Sequence, residues 1–527
     1  MFPLSSDPAA GFTLDSLSTS LLVGTLTLIT CIVAIRLSSR TGFPSLLIYL
    51  GVGLAMGESG IGINFESEQL TQVLGYAALI LILIEGGLTT HWKGIRDSVA
   101  PATLLSTLGV IVSVLVVAAA GRFALGWSWT TALLVGAIVS STDAAAVFSV
   151  LRSVPLPERL TGMLEAESGF NDAPVVILVT ALAASAANPE ESHSVLGLAA
   201  TAMLELGGGA LVGLVVGFLG GALMRRNAAG SSGLFSLGII AVAVLAYGAA
   251  TTVHLSGFIA TYVAALVLGN LKLPHRVAVH AFATALGWLA QIGLFVLLGL
   301  LASPEGFAAQ LVPALIIGVA LTFLARPLSV FASVSWFRFS WREQAFLSWA
   351  GLRGAVPVVL ATVPVTAHAP NVDWIFDLVF VLVVIFTLMQ APTLPFVARL
   401  LGVIEEHQTR EMTVESTPIE EVKGALIHVD VGPQSRLHGV AIFELRLPEG
   451  ADVALIVRAG HTRVPTPRTT IQHGDQLLLV TTDVQRGRAE RLIRAVSEQG
   501  RLAGWAPTSA SPPPRTSRWP GRRRRAG

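Results

Sequence analysis

Apolar runs of about 20 residues, the length that crosses a bilayer core, recur from residue 21 to about residue 401 with short polar breaks between them. About thirteen such runs can be marked; the 46–57 run is short, and 233–270 can be divided in more than one way. The pattern predicts an all-α polytopic membrane protein. Past Arg399 the character changes. Residues 403–423, with EEHQTREMTVESTPIEE, read as a charged linker. Residues 424–500 alternate in short runs, ALIHVDV, VALIVRAG and QLLLVTTDV, broken by Gly, Pro and Asp, as a small, strand-rich α+β domain does. Residues 501–527, with SPPPR and the 522–525 arginine run, are too polar to bury a core and read as a disordered basic tail, solvated rather than membrane-bound. The expected organisation is a transmembrane domain over 1–402, a linker over 403–423, a soluble domain over 424–500 and a tail over 501–527.

Composition places most of the chain against membrane lipid. Of 527 residues, 53% are hydrophobic and 13% charged, whereas a soluble domain carries roughly 25% charged residues. The single cysteine, Cys31, excludes an internal disulfide and argues against a thiolate metal cluster. A net charge of +1 makes no case for nucleic acid. Basic residues fall in alternate breaks: Arg36 and Arg40, Lys93 and Arg96, Arg152 and Arg159, Arg225 and Arg226, Lys272 and Arg276, Arg338 and Arg342. The intervening breaks, such as 188–193, 303–306 and 367–373, are nearly bare, with Arg122 the main exception. The positive-inside rule makes the first set cytoplasmic, which puts the N-terminus outside and the C-terminal domain inside and requires an odd number of spans. The N-terminal residues lack a basic n-region and do not read as a cleaved signal peptide.

Charge inside this apolar pattern is costly, about 2.5 to 3.5 kcal/mol per ionised group near a helix centre, so each exception needs an explanation. In LEAESGFNDAPVVILV, 164–179, Asp172 lies about twelve residues past the cytoplasmic break, about 18 Å deep. Ser168 and Asp172 share one helical face, Glu167 and Asn171 the next. Pro174 leaves the Phe170 carbonyl as a further acceptor. In VSSTDAAAVF, 139–148, hydroxyls and Asp143 favour local backbone bonding over regular helix. In WAGLRGAVPVVL, 349–360, Arg353 stands between glycines and upstream of Pro357. Two interrupted helices in the two halves of a transporter point to a binding site at an inverted-repeat interface. LILIEGGLTT adds Glu85. Glu85 is also close enough to its helix end to snorkel, Asp143 reads equally as the cap of a broken helix, and Arg353 reads first as a structural counter-ion.

Hard oxygen ligands without sulfur or paired histidines suit Na⁺ or K⁺, and carboxylates also bind protons. A dry midplane penalises a bare charge, so Asp172 must hold either a cation or a proton, provided that Arg353 is neutralised by another anion, for which Glu167 is placed. A cation channel would need a filter of carbonyls or charged rings, and no such loop is legible. An intramembrane protease built on Asp143 and Asp172 would leave Arg353, Glu85 and the two interrupted helices unexplained. Exchange, not catalysis, is the expected activity.

Together, ESGFNDAPVV, SSTDAAAVF, LIEGGL and GLRGAVP resemble the NhaP-type branch of the monovalent cation/proton antiporters, over about 15–402. The resemblance implies a dimer in which a core bundle with two crossed, interrupted helices moves against a dimerisation bundle. It implies Asp172 as the transport carboxylate, Ser168, Thr142 and Glu85 as ligands of the monovalent cation, Glu167 paired to Arg353, and, from Asn171 beside Asp172, electroneutral exchange. Residues 424–490 are similar to the TrkA-C (RCK-C) domain of potassium transport systems, without the Rossmann half that often precedes it. That combination looks most like the CvrA-type potassium/proton antiporters. It implies K⁺ rather than Na⁺ exchanged for H⁺ at a bacterial-type inner membrane, no cofactor beyond the transported ions, and a small cytosolic ligand for the C-terminal domain.

Overall fold

The computed structural model describes residues 14–41, 44–58, 60–63, 65, 67–143, 147, 156–188, 195–226, 231–404, 416–419, 424–432, 435–458, 460–482 and 485–500. Arg152, Arg40's neighbours at 42–43, most of the 188–193 break, most of the 403–423 linker and the 501–527 tail lie outside the described residues. The chain divides at 405/406 into a helical unit and a smaller strand-containing unit.

In the helical unit the described residues hold eight helices long and apolar enough to cross a membrane, with shorter apolar helices at Leu21–Ile35, Ser45–Met56, Trp129–Ile138, Gly257–Asn270 and Ala355–Thr366. Helices Ser45–Met56, Glu68–Thr89, Val195–Arg226, Ser232–Thr251, Gly257–Asn270 and Arg276–Leu301 pack mainly on one another. Helix Leu14–Thr41 packs on Ser45–Met56 of this group, and the helices from Val99–Ala124 to Glu158–Ala187 and from Pro304 to Leu400 form a second bundle with an internal repeat. Its first three-part unit runs long helix (Val99–Ala124), broken segment (from Trp129), long helix (Glu158–Ala187); its second runs Pro304–Val334, broken segment (from Trp341), Trp374–Leu400. Each leading helix carries one π-helical turn, Leu105–Gly109 and Leu321–Ala325, packed against the other unit's leading helix.

The breaks sort to two ends of the bundle. Arg159 donates to the carbonyls of Phe337 and Arg338, Ser98 donates to the Arg159 carbonyl, the Trp92 amide donates to Asn270, and Arg276 meets His91 at 3.5 Å. The basic breaks around 91–98, 156–159, 270–276 and 337–342 therefore gather at one end. At the other, Trp127 packs on Trp374 and Arg122 donates to the Trp127 carbonyl at 3.0 Å, which assigns the exceptional arginine a local carbonyl to bond. Because the first repeat unit starts at the basic end and the second, at 304, starts opposite, the two units are inverted relative to each other, as the paired interruptions predict.

Backbone proximity holds the first bundle. A Cβ on Gly53 would lie 2.1 Å from the Val296 carbonyl oxygen, and one on Gly299 would lie 2.3 Å from the Leu50 oxygen. Helices Ser45–Met56 and Arg276–Leu301 thus cross with glycine against backbone, the close approach that apolar solvent rewards through dispersion.

In the smaller unit, strands β1 (Ser416–Ile419), β2 (Gly424–Asp430), β3 (Ala451–Arg458), β4 (His461–Arg463) and β5 (Gln476–Thr482) form an antiparallel sheet in the order β1-β2-β5-β3-β4. The three alternating runs of the sequence are β2, β3 and β5. Ile427, Val429, Leu477 and Leu479 meet Ala489, Ile493 and Val496 of the Arg486–Gln499 helix in one core. Asp475 is fully buried; burial raises its carboxyl, but the Arg458 guanidinium 2.7 Å away and the Gln472 amide outweigh that and hold it below the ordinary carboxylate range.

Gly53→Ala should lower the melting midpoint of the purified protein by an amount equivalent to about 1 to 3 kcal/mol of overpacking. Gly248→Ala, where an added Cβ meets nothing within 4 Å, should leave it unchanged. Equal effects of the two would refute the backbone contact.

Candidate functional site

The two interruptions cross. Helix Trp129–Ile138 ends in a turn at 139–140, and residues 141–143 run without helical bonding; residues 351–354 do the same before helix Ala355–Leu360. The Asp143 amide donates to the Leu352 carbonyl at 2.9 Å. The approach is so close that a Cβ on Gly354 would sit 1.7 Å from Asp143 Oδ2, so only glycine fits there. Arg353 Nη1 donates to the carbonyls of Ser140 and Ser141, both at 2.6 Å. A helix end leaves such carbonyls without intrahelical partners and carries partial negative charge, which the buried guanidinium offsets. Thr387 donates to the Arg353 carbonyl at 3.1 Å and ties the break to the last long helix.

Glu158–Ala187 runs as one helix through Pro174 and brings its polar face to this crossing. Asp172 is 8% exposed, and its Oδ1 accepts from the Ser141 hydroxyl at 2.6 Å. Asn171 Nδ2 donates to Thr142 Oγ1, and Thr142 Oγ1 donates to Glu167 Oε1 at 3.2 Å. Glu167, 2% exposed, takes a bidentate pair from Arg326, Nη1 to Oε1 at 2.5 Å and Nη2 to Oε2 at 2.8 Å.

That pair corrects one expectation. Glu167 is bridged by Arg326, not by Arg353. The physical reason lies in two local distortions: the π-helical turn Leu321–Ala325 directly precedes Arg326 and shifts the helical phase by one residue, while the 351–354 break sends the Arg353 guanidinium to the end of the crossing half-helix. Arg326 also donates to the Leu347 carbonyl at 3.3 Å. The electrostatic outcome required of Glu167 survives with a different arginine. Among the described residues no basic side chain forms an ion pair with Asp172.

Asp172 lines a cavity of about 280 Å³ together with Glu85, Thr142, Asp143 and Ser168. Glu85 enters from Glu68–Thr89, its side chain packed on Gly287, where a Cβ would come within 2.9 Å of Glu85 Cγ. The lining holds carboxylates and hydroxyls and contains neither histidine nor cysteine, a donor set for a hard cation or a proton. Three residues that take part were missed from the sequence. Ser141 stands inside SSTD, where Thr142 and Asp143 are the residues named from the sequence. Arg326 was legible as a lone arginine in the apolar run 311–334. Glu165, a further cavity residue, is the first of the three acidic residues in LEAESGFND.

Arg326→Ala should destabilise the protein by about 3 to 5 kcal/mol, because it strands Glu167 as an unpaired buried charge. Removing Glu167 as well should recover part of that loss, so melting of Arg326→Ala, Glu167→Ala and the double variant should be non-additive. Additive shifts would contradict the pair.

Comparison with known proteins agrees with this geometry. Residues 26–400 match the family described as sodium/hydrogen exchanger, transmembrane, and residues 426–494 match the TrkA-C domain. The K(+)/H(+) antiporter NhaP of Alkalimonas amylolytica is 40% identical over 390 residues, 73% of this chain and 67% of that protein. The K(+)/H(+) antiporter NhaP2 of Shewanella sp. (strain ANA-3) is 33% identical over 471 residues, 88% of this chain and 82% of that protein. The Na(+)/H(+) antiporter ApNhaP of Aphanothece halophytica is 27% identical over 421 residues, 75% of this chain and 77% of that protein. In fold the helical unit is similar to the sodium proton antiporter MjNhaP1 of Methanocaldococcus jannaschii, with a TM-score of 0.64 at 20% identity, covering 73% of this chain and 99% of that one. The match runs through Glu85, both interruptions, Asp172 and Arg326, and the chain belongs to the sodium/hydrogen exchanger family.

Proposed function

We propose that this chain exchanges K⁺ for H⁺ across a bacterial-type cytoplasmic membrane by alternating access at Asp172, one cation for one proton. The observation that carries the reading is that Asp172 is buried in a cavity with a hydroxyl but no basic partner, while Glu167 beside it is neutralised by Arg326. A bare carboxylate in such a place is costly, so it holds a cation or a proton and passes one against the other. When Asp172 is ionised, the Ser141 hydroxyl supplies one donor, and Ser168, Thr142, Glu85 and Asp143 offer oxygens to a cation. Asn171 contributes an amide and no second titrating carboxyl, which favours electroneutral stoichiometry.

Access alternates between the two bundles in this reading. The cavity has walls from both: Glu68–Thr89, Gly257–Asn270 and Arg276–Leu301 on one side, and 142–143, Glu158–Ala187 and 355–356 on the other. Sliding of one against the other would expose Asp172 to each side in turn. The end bearing the basic breaks is the cytoplasmic one, with the N-terminus outside and the C-terminus inside. K⁺ is favoured over Na⁺ by the two K(+)/H(+) antiporter relatives and by the TrkA-C match; ApNhaP, named for Na⁺, supports Na⁺ as the second reading. The protein works as a homodimer in membrane lipid. The organisation is an exchanger domain over 1–402, a linker over 403–423, a regulatory domain over 424–500 that takes a small cytosolic ligand, and a tail over 501–527.

Asp172→Asn keeps the side-chain shape but can neither ionise nor carry a proton, so it should abolish K⁺-driven proton movement in reconstituted vesicles read with a pH dye. The melting midpoint should stay near that of the unsubstituted protein. Substantial flux from this variant would refute Asp172 as the exchange group.

Removing residues 404–527 should leave exchange intact and change its dependence on pH or on a cytosolic ligand, because every proposed ion ligand lies upstream and a regulatory domain acts by favouring one transporter state. A truncated protein with unchanged cation affinity and pH profile would contradict the regulatory role.

A further inference from the structure

The Asp172 cavity contains a fourth carboxylate, Glu165, that exchange at Asp172 does not use. Glu165 lies seven residues, two helical turns and about 10.5 Å, before Asp172 on the same face of Glu158–Ala187, toward the end where the basic breaks gather. Tyr262, from Gly257–Asn270, stands beside it. Its ring packs edge-on against Phe170 and so tightly on the helix that a Cβ on Gly169 would lie 2.3 Å from Tyr262 Cζ. The Tyr262 hydroxyl is in a side chain only 2% exposed, lines the cavity, interacts with the Thr90 hydroxyl and with Glu165, and completes no well-formed hydrogen bond. A buried hydroxyl without a well-formed hydrogen bond costs about 1 to 3 kcal/mol, so it marks a place where something polar is missing. Thr90, also on the cavity wall, donates its hydroxyl proton to the Gly86 carbonyl at 2.7 Å, which leaves its oxygen lone pairs to accept from or coordinate a visitor.

These three groups provide one anionic and two neutral oxygens on the route between the basic end and Asp172. We propose that Glu165, Tyr262 and Thr90 form a second station for a partly dehydrated monovalent cation, which loads from the cytoplasmic side before the ion passes to Asp172. The Tyr262 hydroxyl turns an oxygen lone pair to the ion when the station is filled. The other titrating groups facing the station are Glu85, Asp143 and Asp172, all acidic, so the cavity draws cations along its whole length. The inference rests on the exchange reading for its direction of travel, but the site itself does not.

The test uses full-length protein in detergent with K⁺ as the probe, compared with N-methylglucamine at equal ionic strength. In Asp172→Asn, K⁺ should still raise the melting midpoint, because the outer station remains. In Asp172→Asn combined with Glu165→Gln the K⁺-dependent rise should vanish, and with Tyr262→Phe it should shrink. In reconstituted vesicles, Glu165→Gln alone should raise the half-saturating K⁺ concentration about tenfold, the scale of one lost charged contact, with the maximal rate within about twofold and with Glu165→Asp restoring most of the affinity. A K⁺ rise already lost in Asp172→Asn, or kept when Glu165 is also removed, would overturn the station. So would a Glu165→Gln variant that loses maximal rate with unchanged half-saturation, the mark of a packing role. If the intact protein moves no protons against K⁺ while the Glu165-dependent rise persists, the exchange reading fails and the station stands.

Discussion

An ionised carboxylate cannot stay unpaired deep in a helical bundle without a large cost, and the bidentate bridge between Arg326 and Glu167 is what lets this chain place two such groups five residues apart. With Glu167 neutralised, Arg353 is released to cap the carbonyls of the crossing half-helix, and Asp172 is held by a hydroxyl rather than by a fixed cation. An arginine locked onto Asp172 would pin it permanently ionised and leave no place for an exchangeable ion. The ion pair therefore determines which carboxylate in the segment ESGFND is left without a fixed counter-ion.

The crossing depends on backbone as much as on charge. Gly354 allows the Asp143 carboxylate to lie against the start of Ala355–Leu360, and Gly351 allows Arg326 to pass, since a Cβ there would meet Arg326 Nε at 2.5 Å. Two broken helices would otherwise leave unsatisfied carbonyls and amides in a region without water. Here the Asp143 amide, the Ser140 and Ser141 carbonyls and the Arg353 carbonyl all find partners within the crossing. The broken backbone at the crossing is thus satisfied from within the protein.

Much of this was legible in the sequence, and the reasons are physical. Long apolar runs fix helices in lipid, clustered basic breaks fix which helix ends meet, and alternation in 424–482 fixes β2, β3 and β5. Charged and small polar residues in apolar runs pointed to Glu85, Thr142, Asp143, Ser168 and Asp172, which the fold gathers on one cavity. What sequence spacing did not carry was phase. The resemblance pairs Glu167 with Arg353, whereas Arg326, the lone arginine in its apolar run, follows a π-helical turn that regular helical periodicity does not predict and takes that place. Ser141 and Glu165 were hidden for another reason. Which of two adjacent hydroxyls, or of two alternate glutamates, faces a cavity depends on local breaks and on Tyr262 from a distant helix.

The central claim is that cation and proton compete for one carboxylate. The most direct measurement is the half-saturating K⁺ concentration for exchange in reconstituted vesicles as the pH on the cation-binding side is lowered stepwise. Competition at Asp172 predicts that half-saturation rises about tenfold for each unit of pH on the acid limb, with the maximal rate unchanged, because each proton bound excludes one cation. A half-saturation that does not move with pH would mean that cation and proton occupy separate sites, and would contradict the account.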